Sequence, residues 1–181
     1  MWGLLVLLLL AGCTGKGDEL DRVMALRAKL LSGECTFDAE ITADYLTEVY
    51  TFGVTCRMDT GGNVAFTVTA PESIAGITGT LARDEGRLTF DAAALAFGLL
   101  ADGEISPVSA PWILIRTLRS GYLTSCAVEG ELLRVAIDDS YAADALHRDV
   151  WLTGQDVPCR ADIAWKDRRI LSLEIKNFTI V

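Results

Sequence analysis

The side chains that could do chemistry are few and scattered. There is one histidine, His147, inside the polar stretch Asp144-Ala145-Leu146-His147-Arg148-Asp149. A Ser-His-Asp hydrolase would have to use it, yet no GxSxG pattern sets a serine on a strand-to-helix elbow. A solvated surface histidine is the better reading. No GxxxxGK[ST] or GxGxxG run cradles a phosphate. The acidic groups Asp59, Asp84-Glu85 and Asp138-Asp139 all fall at turns, where Asp caps backbone N–H groups, so neither paired catalytic carboxylates nor a calcium site is needed to explain them. Cys35, Cys56, Cys126 and Cys159 show no CxxC and no nearby His pair, which leaves two disulfides or buried thiols ahead of a metal. No catalytic residue, cofactor or metal is assigned, and the chain reads as a non-enzyme.

One cysteine is different. Leu4 to Leu10 is an unbroken apolar run of seven residues, too short to span a bilayer and of the length of a secretory h-region. It ends in Leu10-Ala11-Gly12-Cys13, which resembles the lipobox of bacterial lipoproteins. That resemblance implies a signal peptide over residues 1–12, acylation (palmitate or similar) of Cys13, a tether over 13–17, and a domain over 18–181 held on the extracytoplasmic face of the cell membrane. Two or three acyl chains anchor stably where one does not. Removing residues 1–12 leaves about 169, the size of one ordinary domain. The formal charge is −9, from 16 basic and 25 acidic residues. Such a body repels nucleic acid and anionic headgroups, so nucleic acid is excluded as a partner.

The elements that must position any site follow from periodicity. Asp18 reads as an N-cap for an amphipathic helix to about Leu31, with Leu20, Val23, Met24, Leu30 and Leu31 on a broad apolar side; Ser32-Gly33 stops it. The period then changes to two. Cys35, Phe37, Ala39 and Ile41 share one face; Tyr50, Phe52, Val54 and Cys56 the next; then Val64, Phe66 and Val68; Ile77, Gly79 and Leu81; Leu88 and Phe90. Alternation joined by Gly/Asp turns predicts an antiparallel meander. Ala92–Leu100 is apolar without a clear period. After Pro107 and Pro111 a short helix is expected over Trp112–Ser120, closed by Gly121. Its first turn, Trp112-Ile113-Leu114-Ile115, is apolar nearly all round, so it must pack from more than one side or line something apolar. Strands resume at Tyr122 and run through Leu133–Ile137, Val150–Leu152, Cys159–Trp165 and Leu171–Ile175.

This order of elements resembles the LolA/LolB/LppX-like half-barrel proteins, a group that includes lipoprotein-sorting-like and GerS-type germination lipoproteins. The resemblance spans the mature chain and rests on element order alone. It implies a mainly β (α+β) fold: a curved antiparallel sheet or half-barrel of about ten strands, an N-terminal helix and a helical lid inserted between the two runs of strands. It further implies an apolar hollow. Trp112, Ile113, Ile115 and Leu118 would form the lid, and Tyr50, Phe52, Phe66, Phe90 and Trp165 the concave wall. The function implied is lipid binding or carriage of an acyl ligand between sheet and lid. The alternative is a ligand-free envelope or spore-related module that docks a protein partner. Aromatic positions on strand faces are more often plain core than the lining of a hollow.

Overall fold

The structure is a computed structural model and describes residues 16–82, 85–90, 93–98, 100–101, 104–142, 145–165 and 168–181. Residues 1–15, with the lipobox and Cys13, lie outside the described residues.

In chain order the elements are α1 (Lys16–Ser32), β1 (Cys35–Asp44), β2 (Val49–Met58), β3 (Val64–Ala70), β4 (Thr78–Ala82), β5 (Glu85–Phe90), β6 (Ala93–Gly98), β7 (Leu100–Ala101), β8 (Glu104–Ile105), α2 (Ala110–Ser120), β9 (Tyr122–Glu129), β10 (Leu132–Asp138), β11 (His147–Leu152), β12 (Pro158–Trp165) and β13 (Arg168–Ile180). Eleven strands form one antiparallel sheet in the order β6-β5-β4-β3-β2-β1-β13-β12-β11-β10-β9, and β7 pairs with β8 separately. Two meanders are thus joined at their first and last strands: β1 pairs with β13 as Ile41↔Leu173, and with β2 as Ile41↔Phe52. The end strands β6 and β9 do not pair with each other, so the sheet is open.

The expected meander and inserted helix are present. The aperiodic apolar stretch after Phe90 supplies an additional edge strand, β6, which pairs with β5 as Leu88↔Leu95. A short apolar run carries no period-two signature when few of its residues are polar, so alternation could not announce it.

The sheet must curve. α2 reaches β2 through Arg119, whose Nη1 donates to the Met58 sulfur at 3.6 Å. One residue beyond the same end of α2, a Cβ built on Gly121 would lie 2.4 Å from Ile137 Cγ2 of β10. Strands β2 and β10 are five places apart in the sheet, about 24 Å if it were flat. A helix is about 10–12 Å wide with its side chains, so only a sheet wrapped around α2 allows both contacts.

The strand faces follow the alternation. Phe37, Ile41, Val54, Cys56, Met58, Val64, Phe66, Leu81, Leu133, Val135, Ile137, Val150, Leu152, Ile163 and Leu173 are all buried on the concave side. Their neighbours in sequence carry Thr and charge outward, as in the pair Thr55–Asp38 at 2.8 Å. α1 turns Val23, Leu26 and Leu30 into the core, an i, i+3, i+7 stripe. The apolar side read from the sequence was broader than this: Leu20, Met24 and Leu31 are 44%, 46% and 51% exposed. Only one stripe of a single-layer helix finds a partner.

Candidate functional site

The site is the concave face and the helix lying in it. α2 buries Ala110, Pro111, Trp112, Ile113, Leu114, Ile115, Thr117 and Leu118, leaving Arg116 and Ser120 outward. Pro111 sits near its start, where a missing N–H costs nothing, and Gly121 N–H closes its end on Thr117 O at 2.9 Å. The polar ties at its C-terminal end are specific. Arg27 Nε donates to Leu118 O and Arg27 Nη2 to Gly121 O, each at 2.9 Å. Arg119 Nη2 donates to Thr60 O in the β2–β3 turn at 2.9 Å. Burial pulls the Arg27 guanidinium below its ordinary pKa. The first two turns of α2 are held chiefly by apolar packing.

The expected lid residues are all inside: Trp112 is 7% exposed, Ile113 3%, Ile115 0% and Leu118 3%. Of the expected wall, Phe52 (7%) and Phe66 (3%) face the same interior. Phe66 leans over Gly79 of β4, where a Cβ would meet its ring at 2.3 Å. Trp165 packs half-buried against the core edge. Tyr50 has the right parity but stands at the rim, 48% exposed, its hydroxyl bonded to Glu48 and its ring tilted against Tyr45. Phe90 ends β5, and its side chain lies outside the described residues. Helix and wall residues belong to one buried apolar cluster.

The remaining candidates sit elsewhere. His147 is on the outer face, its Nδ1 2.7 Å from Asp138 Oδ1 and its Nε2 3.5 Å from Asp149 Oδ1. Asp149 in turn takes a two-pronged bond from Arg134 at 2.9 Å on each oxygen, so Asp149 is held in an ion pair and Asp138 in contact with the imidazole. Asp59 folds its own turn, accepting from Asn63 N at 2.9 Å and Asn63 Nδ2 at 2.8 Å. Of the two alternatives for the cysteines, the structure has thiols: all four are free, with Cys35 and Cys56 buried and Cys126 and Cys159 half-buried. Burial pushes Cys35 up to about 11 and Cys56 further. Among the described residues no group of three or more His, Cys, Asp or Glu could hold a metal, and no helix is long and apolar enough to cross a membrane.

One residue was missed. On β11 the side chains of Arg148, Val150 and Leu152 point inward, and Arg148 is only 5% exposed. The period-two pattern of His147-Arg148-Asp149-Val150-Trp151-Leu152 carries that signal, but the polar stretch Asp144–Asp149 in which Arg148 lies masks it.

No family model and no curated protein sequence matches the chain. Among solved structures it is similar to a DUF1329 family protein from Desulfovibrio piger (9% identity, TM-score 0.51, covering 89% of this chain and 91% of that one). It also matches a LolA superfamily protein from Nitrosomonas europaea (10% identity, TM-score 0.45, 89% and 92% covered). A third match is the lipoprotein LppX from Mycobacterium tuberculosis (15% identity, TM-score 0.42, 89% and 93% covered). At these identities the likeness is one of fold. The open curved sheet, N-terminal helix and inserted helix are the fold this chain shares with the DUF1329 family protein.

Proposed function

We propose that this protein is an exported envelope lipoprotein, anchored through acylated Cys13, that binds an apolar acyl ligand on the concave face now filled by α2. The observation that carries this is α2 itself, a Pro-bounded helix apolar on nearly every side and seated in the curve of a sheet. Its first turns are held by the kind of contact an acyl chain can replace. A chain of about sixteen carbons gains roughly 12 kcal/mol on burial, at ~0.8 kcal/mol per CH2. Exposing Trp112, Ile113, Leu114, Ile115 and Leu118 costs roughly 7–15 kcal/mol, at ~1.5–3 kcal/mol per side chain. The two are close to balance, so α2 can be displaced and can reseat without another energy source. The outer surface and the net negative charge keep the domain off the headgroups, leaving the anchor to hold it at the extracytoplasmic face of the membrane. The residues in question are Phe52, Phe66 and Trp165 on the wall with Trp112, Ile113, Ile115 and Leu118 on the lid; Tyr50 lies at the mouth.

A second reading has its own observation. Phe52, Phe66, Trp112, Ile113, Ile115 and Leu118 are each no more than 7% exposed, and the hollow of about 480 Å³ that Phe66 borders is shared with the outward Thr36, Thr55 and Thr67 rather than with α2. A sheet packed permanently on its own helix would be a ligand-free module that docks an envelope protein partner. Solvent extraction of residues 14–181, purified from a secretory compartment, separates the two by mass spectrometry. A stoichiometric fatty acid or phospholipid supports carriage, and its loss on Trp112→Asp or Ile115→Asp in a folded variant locates it. A clean, stably folded domain that also fails to take up added lipid moves the assignment to the docking module.

A further inference from the structure

Arg148 is out of place in the wall it belongs to. Its cross-strand neighbours are Ile137 of β10 and Ile163 of β12, which are 0% and 1% exposed, and its own face continues as Val150 and Leu152. An ionised group in an apolar wall is costly unless each of its donors is used. Two are. Arg148 Nη1 donates to Leu146 O at 2.9 Å, and Nη2 to Asp139 Oδ2 at 3.3 Å. The second is long for a charge-assisted bond, and Asp139 is itself 36% exposed. The Nε–H is fully buried and has no partner. Arg116 of α2 lies within Coulombic reach of Arg148 and stacks over the Trp112 ring at 5.0 Å. Asp138 lies within the same reach, so Arg148 has carboxylates as well as a second guanidinium around it. A purely structural arginine holding the turn before β11 does not need a buried donor left without a partner.

We propose that Arg148 receives the anionic head of the ligand, a single acyl chain ending in a carboxylate or phosphate monoester, whose tail lies along the concave wall in place of α2's apolar side chains. The head accepts the Nε–H and displaces the long contact to Asp139. Burial already disfavours the cation at Arg148, so an incoming anion stabilises the charge there. This rests on the carrier reading above and gives it a ligand class: a lone acyl chain with a charged end rather than a neutral lipid.

Photolabelling of the full chain in washed membranes tests it, using three diazirine probes of equal chain length: a fatty acid, the corresponding fatty alcohol and a lysophosphatidic acid. The wild type should label with an anionic probe about tenfold more than with the alcohol, the discrimination expected of one charge-assisted hydrogen bond. Whether the carboxylate or the phosphate labels better identifies the head. In Arg148→Gln the ratio of anionic to alcohol labelling should fall to near one. An unchanged ratio overturns the assignment of Arg148 and leaves the carrier reading standing, whereas a wild type that takes no probe at all removes the carrier reading itself. If Arg148→Gln takes up no probe because it misfolds, Arg148→Lys decides. A ratio cut at least threefold supports the fork geometry, and an unchanged ratio refutes it.

Discussion

Gly121→Ala probes how α2 is seated. A Cβ at this position would lie 2.4 Å from Ile137 Cγ2, 2.9 Å from Thr117 O and 3.3 Å from Asp138 O. None of these is the free end of a flexible chain. Ile137 is fully buried and branched at Cβ, and the Thr117 carbonyl accepts the Gly121 N–H that closes the helix. Gly121 cannot retreat either, since its own carbonyl is held by Arg27 at 2.9 Å. The methyl must therefore push β10 and the end of α2 apart, an overpacking that costs about 1–3 kcal/mol. For a domain of this size each kcal/mol shifts Tm by about 2–4 °C, so calorimetry should find a fall of about 5 °C. A double-mutant cycle isolates the cause. Ile137→Ala alone leaves a cavity and costs about 2–5 kcal/mol. In the double variant the new methyl enters the vacated space, so the losses should be sub-additive by about 1 kcal/mol or more. Gly121→Ala within about 1 °C of wild type, or strict additivity with Ile137→Ala, would refute the seating of α2 against β10.

Arg27→Met keeps the apolar stem but removes both hydrogen bonds to the end of α2; urea unfolding should show a loss of about 1–3 kcal/mol, and no loss would mean that α1 does not latch the lid. Thiol titration at pH 8 should find Cys35 and Cys56 inert until guanidinium unfolds the chain, because burial holds both thiols protonated, whereas only the half-buried Cys126 and Cys159 react in the native state; rapid reaction of all four would contradict the sheet's inner face. Hydrogen bonds from Asn177 and Thr55, each at 2.8 Å, hold Asp38 below the usual carboxylate range. A depressed folded-state pKa stabilises above the unfolded value near ~3.9, and the effect is lost as pH falls through the folded value. Thermal melts of Asp38→Asn should therefore lie below wild type at pH 7 and converge with it in strong acid; a gap independent of pH would assign the loss to something other than ionisation.

Much of the fold is legible in the residues themselves. Period-two alternation names which side chains of β1, β2 and β3 face inward, because a pleated strand sends neighbours to opposite faces whatever its surroundings. Pro111, Gly121 and the all-round apolar turn between them mark α2 for the same local reason. What the alternation does not carry is distance along the third dimension. Tyr50 shares parity with Phe52, yet one is 48% exposed and the other 7%, since only the tertiary structure says where the helix ends its cover. Leu20 and Met24 look as apolar as Val23 and Leu26, and only packing selects the stripe that is buried. Arg148 is the sharpest case. Its sequence neighbours suggest a solvated polar stretch, and its pairing with Ile137 and Ile163 places it in the core wall. Side-chain direction is a property of one strand and can be read from one strand. Burial and electrostatic cost belong to what the other strands and α2 bring opposite it, and those arise only when the open sheet curves around the helix.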